Sequence, residues 1–142
     1  MSIRKADTED AAAICKISSE DLGYECNTEL VFEHLKQLDG SREIVFVAEI
    51  DNVVVGYIHA EIYNLLYHET MVNILGIAVS SDYRRHGVGR ALMECVERWA
   101  KELEISMMRL SSGGGRKEAH AFYRKMGFDG EKEQICFNKR LL

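Results

Sequence analysis

A loop rich in arginine and glycine carries the clearest chemical signal in the sequence. It reads Arg-Arg-His-Gly-Val-Gly-Arg from Arg84 to Arg90, between an apolar run at 74–79 and a segment with helical periodicity. Backbone N–H groups at a helix N-terminus are unpaired, and glycine lets an anion approach them closely. Arginine adds charge-assisted donors that match phosphate oxygens. The loop is therefore predicted to bind a pyrophosphate group.

Two widespread pyrophosphate motifs do not describe this loop. The dinucleotide-binding fingerprint needs a third small residue at the position that Leu92 occupies here. The P-loop pattern GxxxxGK[ST] occurs nowhere in the chain, and the second glycine cluster at 113–115 does not supply it. The loop therefore belongs to a different kind of phosphate site.

Two elements must position this loop. The apolar run at 74–79 predicts a buried strand before it, within a longer strand over 71–79. After it, apolar residues recur at helical spacing, which predicts a helix with one buried face. The residues of that face are Val88, Leu92, Val96, Trp99 and Leu103.

The remaining elements are predicted from periodicity, caps and turn signals. Asp51-Asn52 between two β-rich runs predicts a hairpin, and Gly127 is predicted to end the last helix. A polar stretch at 18–27 is predicted to be a loop, and Thr28 is predicted to cap the helix after it. Strands are predicted at 2–6, 43–50, 53–58, 71–79, 106–111 and 134–139, and helices from 11, from 28 to about 39, from 88 and at 116–126. This order indicates a mixed α/β fold, a mixed sheet with helices on both faces.

Two motifs in this order resemble the GNAT superfamily of N-acetyltransferases. The first is Arg84-x-x-Gly87-x-Gly89 between a strand and a long helix. The second is Ala-x-x-Phe-Tyr-x-x-x-Gly-Phe at 119–128, about 30 residues further on, with a predicted strand between them. The resemblance covers essentially the full chain.

The resemblance implies a fold and a cofactor, acetyl-CoA. In that fold the strands at 74–79 and 106–111 splay apart at their ends, and the pantetheine arm pairs with the backbone of the first strand like an added strand. The diphosphate would lie on the amides of the loop. The cofactor-binding residues implied are Ile77, Ala78, Val79, Arg84, Arg85, His86, Gly87, Val88, Gly89, Arg90, Arg116, Ala119 and Tyr123.

The resemblance also implies a catalytic acid, Tyr123, placed beside the leaving sulfur. A phenol can give that sulfur a proton or a hydrogen bond. Relatives often use a glutamate on the strand before the loop as general base, but the aligned position here is Asn73, which cannot accept a proton. Glu61, Glu69 and His59 are nearby in the sequence and remain open as alternatives.

The acceptor site is expected beside the loop between the first two helices. Residues 1–79 hold 5 Lys and Arg against 14 Asp and Glu, whereas residues 80–142 hold 13 against 9. A basic half suits a polyphosphate cofactor, and an acidic half suits a cationic amine. Acidic and aromatic residues of the loop, Glu20, Asp21, Tyr24 and Glu25, are candidates for its lip. The substrate-binding residues predicted are Tyr24, Glu61, Glu69 and Asn73.

The predicted function is acetyl-CoA-dependent N-acetylation of a primary amine on a small cationic molecule, by direct attack in a ternary complex. Neither motif contains a cysteine, so an acetyl-enzyme intermediate is not expected. Two alternatives remain open. One is a non-catalytic acyl-CoA sensor, and the other is acetylation of a protein at a lysine or at its N-terminus. Homodimers are frequent in the superfamily, so a homodimer is a further expectation.

Composition limits the class of protein. The 142 residues suit a single domain over 1–142, with 46% hydrophobic and 29% charged residues. No apolar run reaches the roughly 18 residues of a membrane span, and the N-terminus lacks a signal-peptide core, so a cytoplasmic location is predicted. The net charge of −5 argues against nucleic acid as a partner. The four cysteines have no metal-ligand spacing, so no metal site is predicted.

Overall fold

Five strands form one sheet in the order of the chain, β1-β2-β3-β4-β5. The computed structural model describes all residues, 1–142, as two compact units, 1–110 and 111–142. The first unit contains the sheet and three helices. Its elements are β1 Ser2–Lys5, α1 Ala11–Leu22, α2 Thr28–Lys36, β2 Glu43–Ile50, β3 Val53–Tyr63, β4 Met71–Val79, α3 Val88–Glu102 and β5 Met108–Leu110.

The predicted hairpin is confirmed as β2 and β3, which pair antiparallel. Asp51 and Asn52 both have positive φ, 51° and 65°. A two-residue turn of this kind matches the twist of the strands that it joins, and Asp and Asn tolerate it better than most residues. β3 is longer than predicted because it continues past Ile58 to Tyr63, opposite β4.

β4 is the strand that separates from its neighbour, β5. It pairs antiparallel with β3 along its length, but it pairs parallel with β5 only from Val72 to Ile74. A bulge at Leu75 shifts the register, so that His59 lies opposite Gly76 and Ala60 opposite Ile74. Beyond the bulge, residues 75–79 have no strand partner on the β5 side. β5 covers only Met108–Leu110, which is shorter than the predicted 106–111.

The sheet carries helices on both faces, as predicted. Tyr57 on β3 packs in a core cluster with Ile14 and Ile17 of α1. The adjacent Gly56 faces α3, where a Cβ atom on it would lie 3.0 Å from a methyl carbon of Val88. Since neighbouring strand residues point to opposite faces, α1 and α3 lie on opposite sides of the sheet.

The buried face of α3 is largely as predicted. Val88, Leu92 and Val96 are buried, and Trp99 is partly buried. Leu103 departs from the prediction, because it is the residue that ends the helix and it is 43% exposed.

Two helix boundaries correct the sequence prediction. α1 continues through Ser18 to Leu22 rather than ending in a loop, and Gly23 follows it with φ +73°. The N-cap of α2 is Asn27, not Thr28, because the Asn27 Oδ1 atom accepts hydrogen bonds from the amides of Glu29 and Leu30. The helix ends at Lys36, before the predicted Asp39-Gly40 signal. Asparagine caps as well as threonine does, so the sequence pattern alone favoured neither residue strongly.

An ion pair fastens the start of α1 to β1. Both terminal nitrogens of Arg4 donate to the carboxylate of Asp10 at 2.8 Å, and its Nε donates to Glu49 on β2 at 2.6 Å. Asp10 is buried and also accepts from the amide of Asp7. The hydrogen bonds from Arg4 hold the pKa of the Asp10 carboxyl below its usual value. This pairing therefore stabilises the ionised carboxylate in the folded state.

We expect Asp10→Asn to lower the free energy of unfolding at pH 7 by about 2 kcal/mol. This is less than the cost of breaking a fully buried pair, because Arg4 is partly exposed and screened by water. Because the pKa of Asp10 is lower in the folded state, the ion pair stabilises the protein at pH values above the unfolded-state pKa, which is near 4. This stabilisation is lost as the pH falls through the folded-state pKa. Urea unfolding should therefore show the wild-type advantage shrinking below about pH 4. Asp129→Asn, at an exposed position, is the control; an equal loss there would contradict this account.

The second unit, 111–142, contains one helix, α4, Lys117–Lys125. Gly127 follows its C-cap with φ +98°, as predicted for a helix stop, and Arg124 pairs with Glu131 at 2.7 Å. The strand predicted at 134–139 is wrong, because these residues form no strand. Ile135 and Phe137 are 79% and 86% exposed. Alternating apolar residues suit a strand, but a strand also needs a hydrogen-bonding partner, and no other segment of the chain pairs with this one.

No helix of the protein combines the length and the apolar character that crossing a membrane requires.

Candidate functional site

The loop before α3 leaves its backbone amides without hydrogen-bond partners in the chain. Arg85 and Gly87 both have positive φ, 66° and 77°, and α3 begins at Val88 without a side-chain cap. None of the six backbone N–H groups from Arg85 to Arg90 donates a hydrogen bond to another group of the chain, and the first that does is that of Ala91. Six unpaired donors at the positive end of a 15-residue helix form a favourable site for an anion.

The arginines of this loop differ in their partners. Arg84 is tied to α1, because one terminal nitrogen donates to the carboxylate of Asp21 at 3.2 Å. Arg90 lies 3.9 Å from Glu94, one turn further along α3. Arg85 is exposed and forms no ion pair within the chain. Asp21, predicted for the acceptor lip, therefore holds the loop in place.

The unpaired edge of β4 lies close to the start of α3. Gly56 on β3 is opposite Val79 at the end of β4, and a Cβ atom on Gly56 would lie 3.1 Å from the carbonyl oxygen of Ala78 and 3.3 Å from Leu92. Only glycine lets α3 approach the sheet this closely. The free main-chain groups of 75–79 and the amides of the loop are therefore neighbours in one unit. Together they fit an extended amide-bearing chain that ends in a diphosphate.

A row of polar side chains crosses four strands. The register places Glu43, Glu61, Asn73 and Arg109 opposite one another on β2, β3, β4 and β5. The Asn73 amide nitrogen donates to Glu61 at 2.8 Å, and its amide oxygen accepts from Arg109 at 2.6 Å. The Arg109 guanidinium also lies 5.0 Å from the centre of the Tyr63 ring. Both ends of the Asn73 amide and one oxygen of Glu61 are therefore already used in structural hydrogen bonds.

Two further polar pairs lie on the α1 side of the sheet. The Nε2 atom of His59 is 2.9 Å from the carboxylate of Glu43, and the hydroxyls of Ser18 and Tyr57 are 2.8 Å apart. Burial raises the pKa of the Tyr57 hydroxyl above its usual value, so this group is a neutral phenol. All four residues line a pocket of about 500 Å³ between α1, α2 and the β2–β3 hairpin.

Tyr123 lies on α4 in the second unit. Its ring makes edge-on contacts with Phe122 and Phe128, at centroid distances of 5.6 and 6.1 Å. Burial raises the pKa of its hydroxyl above the usual value, and the charge of Arg116 opposes this in part. The hydroxyl is therefore protonated at neutral pH, the form that a general acid needs.

The structure separates the predicted site residues into groups. The loop residues and Ile77, Ala78 and Val79 lie together in the unit 1–110, whereas Tyr123, with Arg116 and Ala119, lies on or next to α4 in the unit 111–142. Glu61 and Asn73 are bonded to each other. Tyr24 and Glu69 lie in exposed loops, Tyr24 with 67% of its surface exposed.

Sequence reasoning missed Glu43 and Arg109, which complete the polar row. The hairpin turn gave a partial signal for Glu43, since pairing outward from Asp51-Asn52 brings the start of β2 near His59 and Glu61. A bulge between Ala48 and Glu49 changes the register, so the partner could not be read by counting. Arg109 lies in a strand of three residues, too short for a periodic pattern.

The family model for the GNAT acetyltransferase family matches residues 11–128. The chain belongs to this family. The GNAT protein is also 34% identical over 134 residues to the N-alpha-acetyltransferase of Sulfurisphaera tokodaii, covering 89% of this chain and 78% of that protein.

Solved structures show the same fold. The aminoglycoside 6'-N-acetyltransferase AAC(6')-IG of Acinetobacter haemolyticus superposes with a TM-score of 0.84 at 19% identity, covering 99% of both chains. AAC(6')-Iy, in complex with the bisubstrate analogue CoA-S-monomethyl-acetylneamine, superposes with a TM-score of 0.82 at 20% identity, covering 98% of this chain and 97% of that one. The protein is therefore a GNAT N-acetyltransferase with the fold of this family.

Proposed function

We propose that this GNAT enzyme transfers an acetyl group from acetyl-CoA to a primary amine on a small cationic molecule, by direct attack in a ternary complex. One observation supports the proposal most directly. The six unpaired amides from Arg85 to Arg90 and the free edge of β4 at 75–79 lie in the same part of the protein. The amides suit the diphosphate of CoA, and the strand edge suits its amide-bearing arm. When bound, acetyl-CoA supplies the acetyl group as a thioester. In the transfer the C–S bond of the thioester breaks and a C–N bond to the amine forms.

The loop and β4 hold the cofactor in this proposal. Gly87 and Gly89 keep the backbone open, and Arg85 and Arg90 add positive charge beside the helix N-terminus. Arg84 contributes mainly by fixing the loop to Asp21. The main-chain groups of Ile77, Ala78 and Val79 bind by hydrogen bonds, so their side chains need only be apolar. On the other unit, Tyr123 gives a proton from its hydroxyl to the leaving thiolate.

The state of the cysteines supports direct transfer. Cys15 is buried in α1, and burial together with a hydrogen bond to Cys15 raises the pKa of the Cys26 thiol to about 11. A thiol with such a pKa is a poor nucleophile at neutral pH, because the reactive form is the thiolate. Cys95 lies within α3 and Cys136 in the segment after α4, so neither belongs to the loop or to β4.

A small cationic acceptor is supported by charge and by the solved neighbours. Residues 1–79, which include α1 and α2, are strongly acidic. The aminoglycoside N-acetyltransferase AAC(6')-Iy is seen in complex with the bisubstrate analogue CoA-S-monomethyl-acetylneamine.

A second candidate is acetylation of protein N-termini. It is favoured by the 34% identity with the N-alpha-acetyltransferase of Sulfurisphaera tokodaii. A peptide N-terminus is also a primary amine, so the same cofactor site and the same acid serve both reactions. The two functions differ only in the acceptor.

A thiol-release assay with acetyl-CoA and a panel of amines tests the proposal. The panel holds polyamines, aminoglycosides, amino sugars, simple alkyl and aryl amines, and peptides with free N-termini or lysines. Release with a small amine is the expected result, whereas release only with peptides establishes the second candidate. Tight CoA binding by calorimetry without release from any amine would contradict the enzymatic proposal and indicate an acyl-CoA sensor.

A further inference from the structure

The pocket between α1, α2 and the β2–β3 hairpin has the features of an acceptor site. Its volume of about 500 Å³ lies within the usual range for small-molecule sites. The half-buried Val31 and Leu35 of α2, the half-buried Leu38 after that helix, and the buried Ile14 and Val45 make much of its wall apolar. The other six lining residues are polar, and they include the two hydrogen-bonded pairs described above.

The position of the pocket relative to β4 links it to the proposed reaction. The strand residues Tyr57 and His59 line it, and the register places them opposite Ala78 and Gly76. Those two residues belong to the stretch of β4 that has no partner on the β5 side. Neighbouring strands lie about 4.8 Å apart, so His59 is one strand away from the edge proposed to hold the cofactor.

The charge of the pocket limits its ligand. Glu43 is the one carboxylate in its lining, and the exposed His34 on α2 and Gln37 just after that helix add no negative charge. A polyamine or aminoglycoside carries several ammonium groups, and leaving them unpaired beside apolar walls is unfavourable. A molecule with a single ammonium group and an apolar body matches one carboxylate and five aliphatic side chains.

The His59–Glu43 pair has the geometry of a proton acceptor. Because a carboxylate only accepts hydrogen bonds, the bond at 2.9 Å indicates that Nε2 of His59 carries the hydrogen. The lone pair is then on Nδ1, and the carboxylate stabilises the imidazolium that forms when Nδ1 takes a proton. The alternatives Glu61 and Asn73 are held in the row with Arg109, and Glu69 is exposed in the loop before β4.

We propose that this pocket binds a small primary amine with one positive charge and an apolar body, and that His59, positioned by Glu43, takes the proton of its ammonium group. The N–H bond of the ammonium breaks and an N–H bond forms at Nδ1 of His59, through bridging water, which leaves a neutral amine as the nucleophile. His59 then returns the proton to solvent. This inference rests on the proposed acetyltransferase function. It assigns the role of general base to His59, since Asn73 cannot accept a proton.

Binding is tested first, without the cofactor. Phenethylamine is titrated into the protein by calorimetry and compared with spermidine and kanamycin. His34→Trp, at an exposed position on the pocket wall, should weaken phenethylamine binding at least about tenfold by filling the space. The control is Glu33→Trp, one residue away, exposed and outside the pocket lining. Equal binding to both variants, or preference for spermidine or kanamycin, overturns the inference.

The proton transfer is tested by chemical rescue. His59→Ala should lower kcat/KM for phenethylamine by about 100-fold, and added imidazole should restore part of it. In Glu43→Gln, kcat should fall by a larger factor than KM rises. Glu43→Asp should recover part of the lost kcat. A purely structural role of Glu43 would not predict this pattern. His68→Ala, an exposed histidine in the loop before β4, is the control and should behave as wild type. A His59→Ala enzyme with wild-type kcat/KM, or one that imidazole does not rescue, contradicts the role of His59.

The two proposals fail differently. If acetyl-CoA releases thiol with kanamycin, spermidine or a peptide but not with phenethylamine or hexylamine, the acetyltransferase function stands and this inference is wrong. If no amine releases thiol although CoA binds, the proposed function itself is wrong.

Discussion

Gly89→Trp is expected to weaken CoA binding by at least about 100-fold, because charge-assisted hydrogen bonds to a diphosphate contribute about 1.5–3 kcal/mol each and at least two would be lost. Gly89 is the second residue of α3, within the run of unpaired amides from Arg85 to Arg90. An indole at this position would cover the amides of the first helical turn. Calorimetry with CoA measures the effect directly.

Gly40→Trp is the matched control for this experiment. Gly40 lies before β2, and a Cβ atom on it would meet nothing within 4 Å, so a large side chain can extend into solvent there. CoA affinity should stay within a few-fold of the wild type in this variant, and circular dichroism should show both variants folded. Wild-type CoA affinity in a folded Gly89→Trp protein would show that the loop is not the phosphate site.

Tyr123→Phe is expected to lower kcat by about 100-fold while CoA affinity stays within a few-fold, because general acid catalysis typically contributes 10²- to 10⁴-fold. Removal of the hydroxyl leaves the ring and its contacts with Phe122 and Phe128 in place. Steady-state kinetics and CoA calorimetry separate the two effects. The control is Tyr67→Phe, at a residue that is 86% exposed, which should keep wild-type turnover. Undiminished kcat in Tyr123→Phe would remove the acid role.

The pH dependence of this effect has a definite sign. Burial disfavours the charged phenolate of Tyr123 and so raises the pKa of the hydroxyl above its usual value of 10.0. The hydroxyl therefore keeps its proton to a higher pH than an ordinary tyrosine does. The ratio of wild-type to Tyr123→Phe turnover should stay constant from pH 7 to about pH 9. A ratio that falls steadily over that range would indicate a phenol of lowered pKa, contrary to its burial.

Local chemistry made much of this architecture predictable. The Asp51-Asn52 turn specified the hairpin, and the spacing of Val88, Leu92 and Val96 specified the buried face of α3. The glycines of the loop marked the start of that helix correctly. Each of these features depends on residues close together in sequence, where backbone preference and periodicity act directly.

The features that escaped prediction depend on long-range pairing. The segment at 134–139 has the alternation of a strand, yet Ile135 and Phe137 remain exposed because nothing in the chain pairs with it. The hydrogen bonds of Asn73 with Glu61 and Arg109 depend on bulges and register that no local pattern records. The same is true of His59 and Glu43, 16 residues apart across the hairpin. The single domain over 1–142, the cytoplasmic location and the homodimer remain predictions.

Transfer of a radiolabelled acetyl group tests the central claim most directly. The enzyme is incubated with acetyl-CoA labelled in the acetyl group and a mixture of small amines, and the label is followed on the amines and on the protein. The account predicts that the label passes to an amine as thiol is released in equal amount, with none retained on the protein. Labelled protein in the absence of amine would contradict direct transfer, and label that remains on CoA in the presence of every amine would contradict the proposed function.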